Sequence, residues 1–256
     1  MYRIFTAKVT DNIPLNRKNY LLTVEPLEQS IEPKPGQFYM IQTGNSLDPL
    51  LKRPFSYFRR SPGAIQFLYT VKGKGTAKMQ ALRAGSEMQV IGPLGTGYPV
   101  PGKGTTPLLI AGGIGIASLF SLAECCADKP YLIYGARCKN DILILNELEQ
   151  LGCELVTCTD DCSFGKEGKV TDILTNFLSS PESKSTSYTI YACGPRPMLA
   201  AVSRIAMANR IRGFVSLEEN MACGFGACLG CAVQTAKGYR RVCKEGPVFP
   251  LEEIVW

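Results

Sequence analysis

The 256-residue chain contains no histidine. Histidine is the most frequent general acid–base residue in enzymes and a common ligand of metals and haem. Its absence excludes a Ser-His-Asp triad, a Cys-His dyad, an H-E-x-x-H zinc helix, Rieske ligation and haem held by a proximal histidine. We therefore expect bound cofactors to carry any reaction of this chain.

Several partners and locations are also disfavoured. The net charge is +6, but the basic residues are scattered and not interleaved with aromatics, so we expect no nucleic-acid partner. The uncharged stretch between Lys103 and Glu124 contains four glycines, which favours a buried strand–turn–helix unit over a membrane helix. The first ten residues are charged and predict a strand rather than a signal peptide. We expect a cytoplasmic protein whose eleven cysteines are reduced or metal-bound.

Cysteines near the end of the chain form the most specific motif. Their spacing is C-x4-C-x2-C, then eleven residues, then C, which is typical of a plant-type [2Fe–2S] cluster. The short gaps place the first three ligands on one loop, where Gly224, Gly226 and Gly230 can take positive φ. The predicted ligands are Cys223, Cys228, Cys231 and Cys243.

A structural zinc site is the alternative, since four cysteines also suit tetrahedral zinc. Zinc sites usually pair their ligands in two short knuckles, whereas here three cysteines are bunched and one stands apart. The spacing therefore favours the iron–sulfur cluster. The other cysteines do not repeat this spacing, and we interpret most of them as structural thiols: Cys125, Cys126, Cys138, Cys153, Cys158 and Cys162.

The pattern of strands and helices predicts three domains. Six short strands separated by glycine and proline predict a six-stranded antiparallel barrel over residues 1–98. Strands then alternate with helices over residues 99–212, which predicts a doubly wound parallel sheet. Residues 213–256 would form a small [2Fe–2S] module. Because the whole sheet domain separates the barrel from the cysteine run in sequence, we expect the cluster to be independent of the barrel.

Two short motifs in the barrel can hold an anionic cofactor. The run Arg53-Pro54-Phe55-Ser56 begins a predicted strand, where arginine can pair with a pyrophosphate and serine can bond a phosphate or a flavin edge. Gly75-Thr76 offers backbone donors suited to a phosphate. Each motif also has an ordinary explanation, namely a surface arginine and a glycine turn.

Two motifs in the sheet domain suit a dinucleotide. Gly112, Gly113 and Gly115 form a G-G-x-G turn between a strand and a helix, which is shorter than the full G-x-G-x-x-G pattern. No acidic residue ends the second strand, and Arg137 there leaves a 2′-phosphate contact and a structural role open. Cys193-Gly194-Pro195 follows the last parallel strand, at the edge where ligands bind, although it also suits a buried thiol and a turn.

Together these motifs resemble the ferredoxin–NADP reductase superfamily, in which the barrel binds FAD and the sheet domain binds the pyridine nucleotide. The run SLEENMACGFGACLGC over residues 216–231 is similar to the electron-transfer subunits of class 1B dihydroorotate dehydrogenases. The stretch TDDCS over residues 159–163 is similar too, with Cys162 where glycine is expected. The resemblance covers essentially the whole chain.

The resemblance implies a set of binding residues. FAD would contact Arg53–Ser56, Leu68-Tyr69-Thr70 and Gly75-Thr76, and the nicotinamide would contact Gly112–Gly115 and Cys193–Pro195. NADH, preferred over NADPH, would give a hydride to FAD. The cluster would then pass single electrons to or from the FMN of a separate catalytic subunit that oxidises dihydroorotate to orotate. The expected complex is a heterotetramer with two copies of each subunit.

Two other functions remain open. The chain could serve another complex of the same build, such as an NADH-dependent ferredoxin–NADP oxidoreductase or a sulfide dehydrogenase. It could instead be a redox sensor that binds FAD and a cluster without turnover. Steady reduction by NADH would separate an enzyme from a sensor.

Overall fold

A computed structural model describes residues 2–44, 48–102, 104–184 and 186–256. The first third forms one antiparallel sheet of seven strands in the order β4-β3-β7-β1-β2-β6-β5. Helix α1 (Lys74–Gln80) lies between β6 and β7 in the chain. The strands are β1 (Arg3–Pro14), β2 (Asn19–Pro26), β3 (Phe38–Ile41), β4 (Arg53–Ser56), β5 (Arg59–Ser61), β6 (Ala64–Thr70) and β7 (Glu87–Leu94).

The predicted antiparallel architecture of this segment is confirmed, and the sheet has seven strands where six were expected. Strand β5 was not predicted because its sequence, Arg-Arg-Ser, has low strand propensity. It forms because the chain reverses over residues 62 and 63 and pairs Arg60 with Ile65 of β6. Tertiary pairing therefore overrides local preference at this edge of the sheet.

Tyr39 lies at the centre of the first sheet's core. Its ring meets those of Phe5 and Phe67 edge-on, with ring centroids 6.4 and 5.4 Å away. Its hydroxyl is buried and has no hydrogen-bond partner among the described residues. Burial, and then the nearby Tyr57, raises the pKa of this phenol well above its usual range. The core thus contains a neutral hydroxyl that no described group satisfies.

The second sheet confirms the predicted parallel architecture. Its order is β11-β10-β9-β8-β12-β13-β16; neighbouring strands from β11 to β13 are parallel, and β16 pairs antiparallel with β13. Its strands are β8 (Thr106–Gly112), β9 (Tyr131–Ala136), β10 (Glu154–Thr159), β11 (Lys166–Glu167), β12 (Tyr188–Cys193), β13 (Gly213–Ser216) and β16 (Val248–Pro250). Strands β14 (Ala232–Thr235) and β15 (Gly238–Arg241) form a separate two-stranded sheet.

Five helices accompany the second sheet in the chain. They are α2 (Ile116–Cys125), α3 (Leu145–Gln150), α4 (Val170–Ser179), α5 (Pro181–Lys184) and α6 (Arg196–Ala208). Short 3₁₀ turns cover Gly113–Gly115 and Lys139–Asp141. Among the described residues, no helix combines the length and the apolar character needed to cross a membrane.

The chain folds into two compact units. The first contains Met1–Gly97, Glu218–Val233 and Tyr239–Pro247, and the second contains Tyr98–Leu217, Gln234–Gly238 and Val248–Trp256. The cysteine run therefore packs in the same unit as the first sheet, and the expectation that the cluster can be lost without loss of the barrel's cofactor stays a prediction. Distance along the chain gave no information about this packing. The domain ranges 1–98, 99–212 and 213–256 stay predictions.

Replacing Tyr39 with phenylalanine should stabilise the protein. The substitution removes a buried hydroxyl whose unmet hydrogen bonds cost about 1–3 kcal/mol and leaves the ring contacts in place. Tyr69→Phe is the matched control, because the Tyr69 hydroxyl donates to Asn12 Oδ1 at 3.1 Å. Thermal unfolding should show a higher midpoint for Tyr39→Phe and a lower one for Tyr69→Phe. A lower midpoint for both would mean that the Tyr39 hydroxyl is satisfied.

Candidate functional site

The four cysteines of the C-terminal run lie in two pairs. The Cys228 N–H donates to Cys223 Sγ, and the Cys243 N–H donates to Cys231 Sγ, both at 3.4 Å. No three or more Cys, Asp or Glu side chains in the described part of the chain are placed to hold one metal ion. In a [2Fe–2S] cluster each iron takes two protein thiolates beside the bridging sulfides. Two cysteine pairs are the donor set that such a cluster requires.

Cys223 is set apart from an ordinary thiol by the backbone around it. Burial alone would raise its pKa, but hydrogen bonds from the N–H groups of Cys228, Phe225 and Ala227 outweigh burial and lower the pKa to about 6. The pKa of Cys243 is instead raised to about 12, by burial and by the adjacent Cys231. The loop between Cys223 and Cys228 thus stabilises negative charge on sulfur, as a metal-binding thiolate requires.

The backbone of this loop confirms part of the expected glycine pattern. Gly224 and Gly226 have φ values of 81° and 94°. Gly230 is not among the residues with positive φ; its neighbour Leu229 takes a φ of 61° instead. A Cβ on Gly224 would overlap the Met40 side chain and lie 3.4 Å from Leu94. The absence of that atom lets the loop pack against β3 and the end of β7.

The Arg241 guanidinium bonds to the same loop and to Glu245. Its Nη1 donates to the Gly226 carbonyl at 2.8 Å, its Nε donates to Glu245 Oε2 at 3.1 Å, and its Nη2 pairs with Oε1 of the same carboxylate. The Arg241 guanidinium lowers the pKa of Glu245 to about 2, so the pair is ionised at neutral pH. Sequence reasoning missed both residues, because no motif spacing marks a contact from Arg241 back to Gly226.

The three segments expected to contact FAD meet in the first unit. The rings of Phe55 on β4 and Tyr69 on β6 are 5.9 Å apart, edge to face. A Cβ on Gly75, in α1, would lie 3.5 Å from Arg53 Nε on β4. The run Arg53–Ser56, the run Leu68–Thr70 and the Gly75-Thr76 turn therefore form one cluster, although up to twenty-three positions separate them in sequence.

Several side chains in these segments already serve the protein itself. The Thr70 hydroxyl donates to Asn19 Oδ1 at 2.6 Å. The Thr76 hydroxyl accepts hydrogen bonds from the N–H groups of Lys72 and Gly73, at 2.9 and 3.1 Å, and donates to the Gly73 carbonyl. With the Tyr69 hydroxyl donating to Asn12, the hydroxyl protons of all three residues are engaged within the protein.

A small cradle lies between Gly75 and the β4 arginine. A Cβ on Gly75 would lie 3.1 Å from Thr43 Oγ1 and 3.5 Å from Pro49 Cγ, in addition to Arg53. The Thr43 hydroxyl is buried and has no partner among the described residues. A guanidinium beside a glycine backbone fits the anionic part of a dinucleotide cofactor. Sequence reasoning missed Thr43, which belongs to no motif.

The two predicted nucleotide motifs also lie together, within the second unit. Cys193 of β12 is paired with Ala111 of β8, so the turns that follow these two strands leave the same edge of the sheet. A Cβ on Gly115 would overlap the Cys193 carbonyl, and one on Gly112 would overlap Pro195. The strand order reverses between β8 and β12, which is where open α/β sheets bind ligands. A role of these residues in holding a nicotinamide stays a prediction.

The residues of these two turns differ in how much space surrounds them. The Cys193 thiol is buried, so it contributes to packing as the alternative interpretation required. Gly113 has a φ of 52°, and a Cβ there would meet no described atom within 4 Å. Gly113 therefore presents open backbone, whereas Gly112 and Gly115 close the contact between the two turns.

Comparisons with known proteins agree with this arrangement. Residues 218–255 match the model of the iron–sulfur cluster binding domain of dihydroorotate dehydrogenase B, and residues 109–204 match the oxidoreductase NAD-binding domain. The electron transfer subunit of dihydroorotate dehydrogenase B from Caldanaerobacter subterraneus is 37% identical, with 98% of each chain covered. The Desulforamulus reducens subunit is 35% identical over 100% of each, and an Aquifex aeolicus homolog is 35% identical over 97% of each.

Solved structures show the same fold. A chain of the NADH-dependent reduced ferredoxin–NADP oxidoreductase structure has a TM-score of 0.86 at 24% identity. The match covers 98% of this chain and 90% of that chain. A ferredoxin reductase of carbazole 1,9a-dioxygenase has a TM-score of 0.68 at 21% identity, covering 82% and 67%.

The matched domains and the paired cysteines define an oxidoreductase with an NAD-binding domain and an iron–sulfur binding segment. Full-length identity with the curated relatives is more specific. The chain belongs to the family of dihydroorotate dehydrogenase B electron transfer subunits, and the resemblance noted in the sequence is confirmed.

Replacing Arg241 with glutamine should make the iron–sulfur cluster labile. The variant loses the charged donor to the Gly226 carbonyl and the ion pair with Glu245, and outer contacts of this kind typically change metal retention by about tenfold or more. Decay of the visible cluster absorbance in the presence of a chelator measures the effect. Lys237→Gln is the matched control, since it breaks an ion pair with Glu253 outside the cysteine loop. Equal decay rates for both variants would show that Arg241 does not hold the cluster loop.

Proposed function

We propose that this chain is the electron-transfer subunit of an NAD-dependent dihydroorotate dehydrogenase. It would pass electrons between NAD(H) and a separate FMN-containing catalytic subunit that oxidises dihydroorotate to orotate in pyrimidine biosynthesis. The observation that carries the proposal is the paired cysteine run, which lies in a chain that matches the named relatives from end to end. We further propose a cytoplasmic complex with two copies of each subunit.

The proposal assigns three cofactor or substrate sites. The cluster would be held by Cys223 and Cys228 on one iron and by Cys231 and Cys243 on the other. FAD would be held by Arg53–Ser56, Leu68–Thr70 and Gly75-Thr76, and NAD(H) by Gly112, Gly113, Gly115 and Cys193–Pro195. When bound, FAD accepts an electron pair from NADH, and the cluster carries electrons singly.

The protein's own part is to hold these groups and to set their charge balance. The Arg53 guanidinium would pair with the FAD pyrophosphate, a charge-assisted contact worth about 1.5–3 kcal/mol. The N–H groups that face Cys223 would stabilise the negative charge of the cluster, which is a principal means of setting its potential. With no histidine in the chain, a proton leaving the flavin must reach solvent by another group or by water.

An apolar patch beside the cysteines supports a protein partner. The Phe225 ring is 40% exposed, and it stacks on Tyr2 with centroids 5.9 Å apart. Leu229, in the same loop, is 61% exposed. We call Tyr2, Phe225 and Leu229, with the adjacent Met221, the docking patch. Electron transfer needs close approach of the two redox centres, so an exposed apolar patch at the cluster is suited to a partner that brings an acceptor near it.

The purified protein should contain FAD together with about two irons and two acid-labile sulfides per chain. Cys228→Ser should lose the cluster, because one iron keeps a single thiolate. It should keep FAD and NADH-dependent dye reduction, because the flavin segments do not include the loop. Absorbance spectra, metal analysis and dye assays measure this. Cys162→Ser, an exposed cysteine outside the run, is the control and should keep both groups. One zinc and no sulfide in the parent protein would contradict the cluster.

The isolated chain should reduce artificial dyes with NADH but should not oxidise dihydroorotate with NAD. Adding the FMN-containing catalytic subunit should restore that reaction. Phe225→Asp should weaken the complex by about tenfold, as loss of an interface aromatic does, and leave dye reduction intact. Met207→Asp, an exposed apolar residue on α6, is the matched control and should bind normally. Dihydroorotate oxidation by this chain alone would overturn the subunit role, and coupling only to a ferredoxin would favour the alternative complex.

A further inference from the structure

Thr43 is a buried polar residue that the assigned sites do not use. It follows β3 and is only 2% exposed, and its hydroxyl lacks a hydrogen-bond partner within the described part of the chain. A buried hydroxyl without a partner destabilises the folded protein, so its retention needs a reason. Threonine rather than valine at this position is therefore informative, since the two have nearly the same shape.

The Thr43 hydroxyl faces the segment that would hold the FAD phosphates. The point where a Cβ of Gly75 would stand lies 3.1 Å from Thr43 Oγ1 and 3.5 Å from Arg53 Nε. Both atoms therefore border the same small space, which glycine leaves free. Strands β3 and β4 are paired antiparallel with Ile41 opposite Arg53, so Thr43 follows by two positions the residue that faces the arginine.

The Arg53 guanidinium is anchored at one end only. Its Nη1 donates to the Leu51 carbonyl at 2.7 Å and to the Lys52 carbonyl at 3.4 Å. Within the described ranges these hydrogen bonds leave the Nε–H and the Nη2 group for other acceptors. An arginine that binds a phosphate well needs its planar fork held in one orientation.

We propose that Thr43 is a positioning residue for Arg53. The Thr43 hydroxyl has no partner among the described residues of this structure. In the FAD-bound protein it accepts a hydrogen bond from the Arg53 Nε–H while the Leu51 carbonyl holds Nη1, so that the Nη2 group is presented to the pyrophosphate. The proposal rests on the proposed function for the identity of the ligand. The proposed contact is a hydrogen bond between two residues of this chain and involves no covalent step.

Binding of FAD and of riboflavin to the flavin-depleted protein, followed by fluorescence titration, tests the proposal. Thr43→Val should weaken FAD binding about three- to tenfold, the effect of losing one hydrogen bond, and Thr43→Ser should restore most of it. Riboflavin has no phosphate, so its affinity should not change. In an Arg53→Ala background, Thr43→Val should cause no further loss of FAD affinity, because the hydroxyl acts through the arginine.

Ser203→Ala is the matched control, because Ser203 is another buried hydroxyl without a described partner and belongs to the second unit. It should leave FAD affinity unchanged. An equal loss in the Arg53→Ala background, or an equal loss for riboflavin, would overturn the proposal. So would unchanged FAD affinity of Thr43→Val. If Thr43→Val does not fold, wild-type affinity in Thr43→Ala would overturn it instead. Failure of the parent chain to bind FAD would contradict the proposed function and is distinct from all these outcomes.

Discussion

Contact between Gly224 and the Met40 side chain joins the cysteine run to the first sheet. Met40 is paired with Pro54 on β4, so a single strand pair separates the cluster loop from the segment that begins with Arg53. A second contact between the first sheet and the C-terminal residues is a hydrogen bond from the Thr96 N–H to the Gly246 carbonyl, at 2.5 Å. These two contacts lie within the compact unit that contains both the candidate flavin residues and the candidate cluster residues. Single-electron transfer depends on a short and fixed separation, and packing of this kind provides it.

The sequence predicted the elements better than their assembly. Hydrophobic alternation and β-branched runs located six strands of the first sheet, because burial on one face leaves a local pattern. Strand β5 carries no such pattern and exists only through its pairing with β6. The G-G-x-G and C-G-P turns were recognisable from the glycines, and their adjacency follows from the strand order of a parallel sheet. The packing of Gly224 on Met40 could not be predicted, since nothing local relates residues 184 positions apart.

In the candidate site, too, local motifs could be predicted from the sequence and long-range contacts could not. The four cysteines were evident from spacing alone, because a cluster imposes short gaps on its ligands. Arg241 donates to the Gly226 carbonyl and Thr43 lies beside Gly75, fifteen and thirty-two positions away in sequence, and arginine and threonine are common residues that no spacing marks. Leu229 takes the positive φ that was expected of Gly230, which shows that a glycine-rich loop limits the choice of strained position without fixing it.

Four of the remaining cysteines differ chemically from Cys223. Burial raises the pKa of Cys126 to about 12 and that of Cys158 to about 11, and it also raises the pKa of Cys125 and Cys153. These thiols stay protonated at neutral pH and are poor ligands and poor nucleophiles. Cys223 is the opposite case, with a pKa of about 6. Among the eleven cysteines of the chain, Cys223 is thus one whose surrounding backbone favours the thiolate that binds metal.

The first unit is assembled from three stretches of chain, the last of which ends at Pro247. Synthesis proceeds from the N-terminus, so all strands of the first sheet leave the ribosome well before residues 218–247 do. The surface of Met40 and Leu94 stays uncovered while residues 98–217 of the second unit are being made. The cysteine run is therefore the last part of the first unit to be synthesised, and loading of iron and sulfide cannot be complete before Cys243 has left the ribosome.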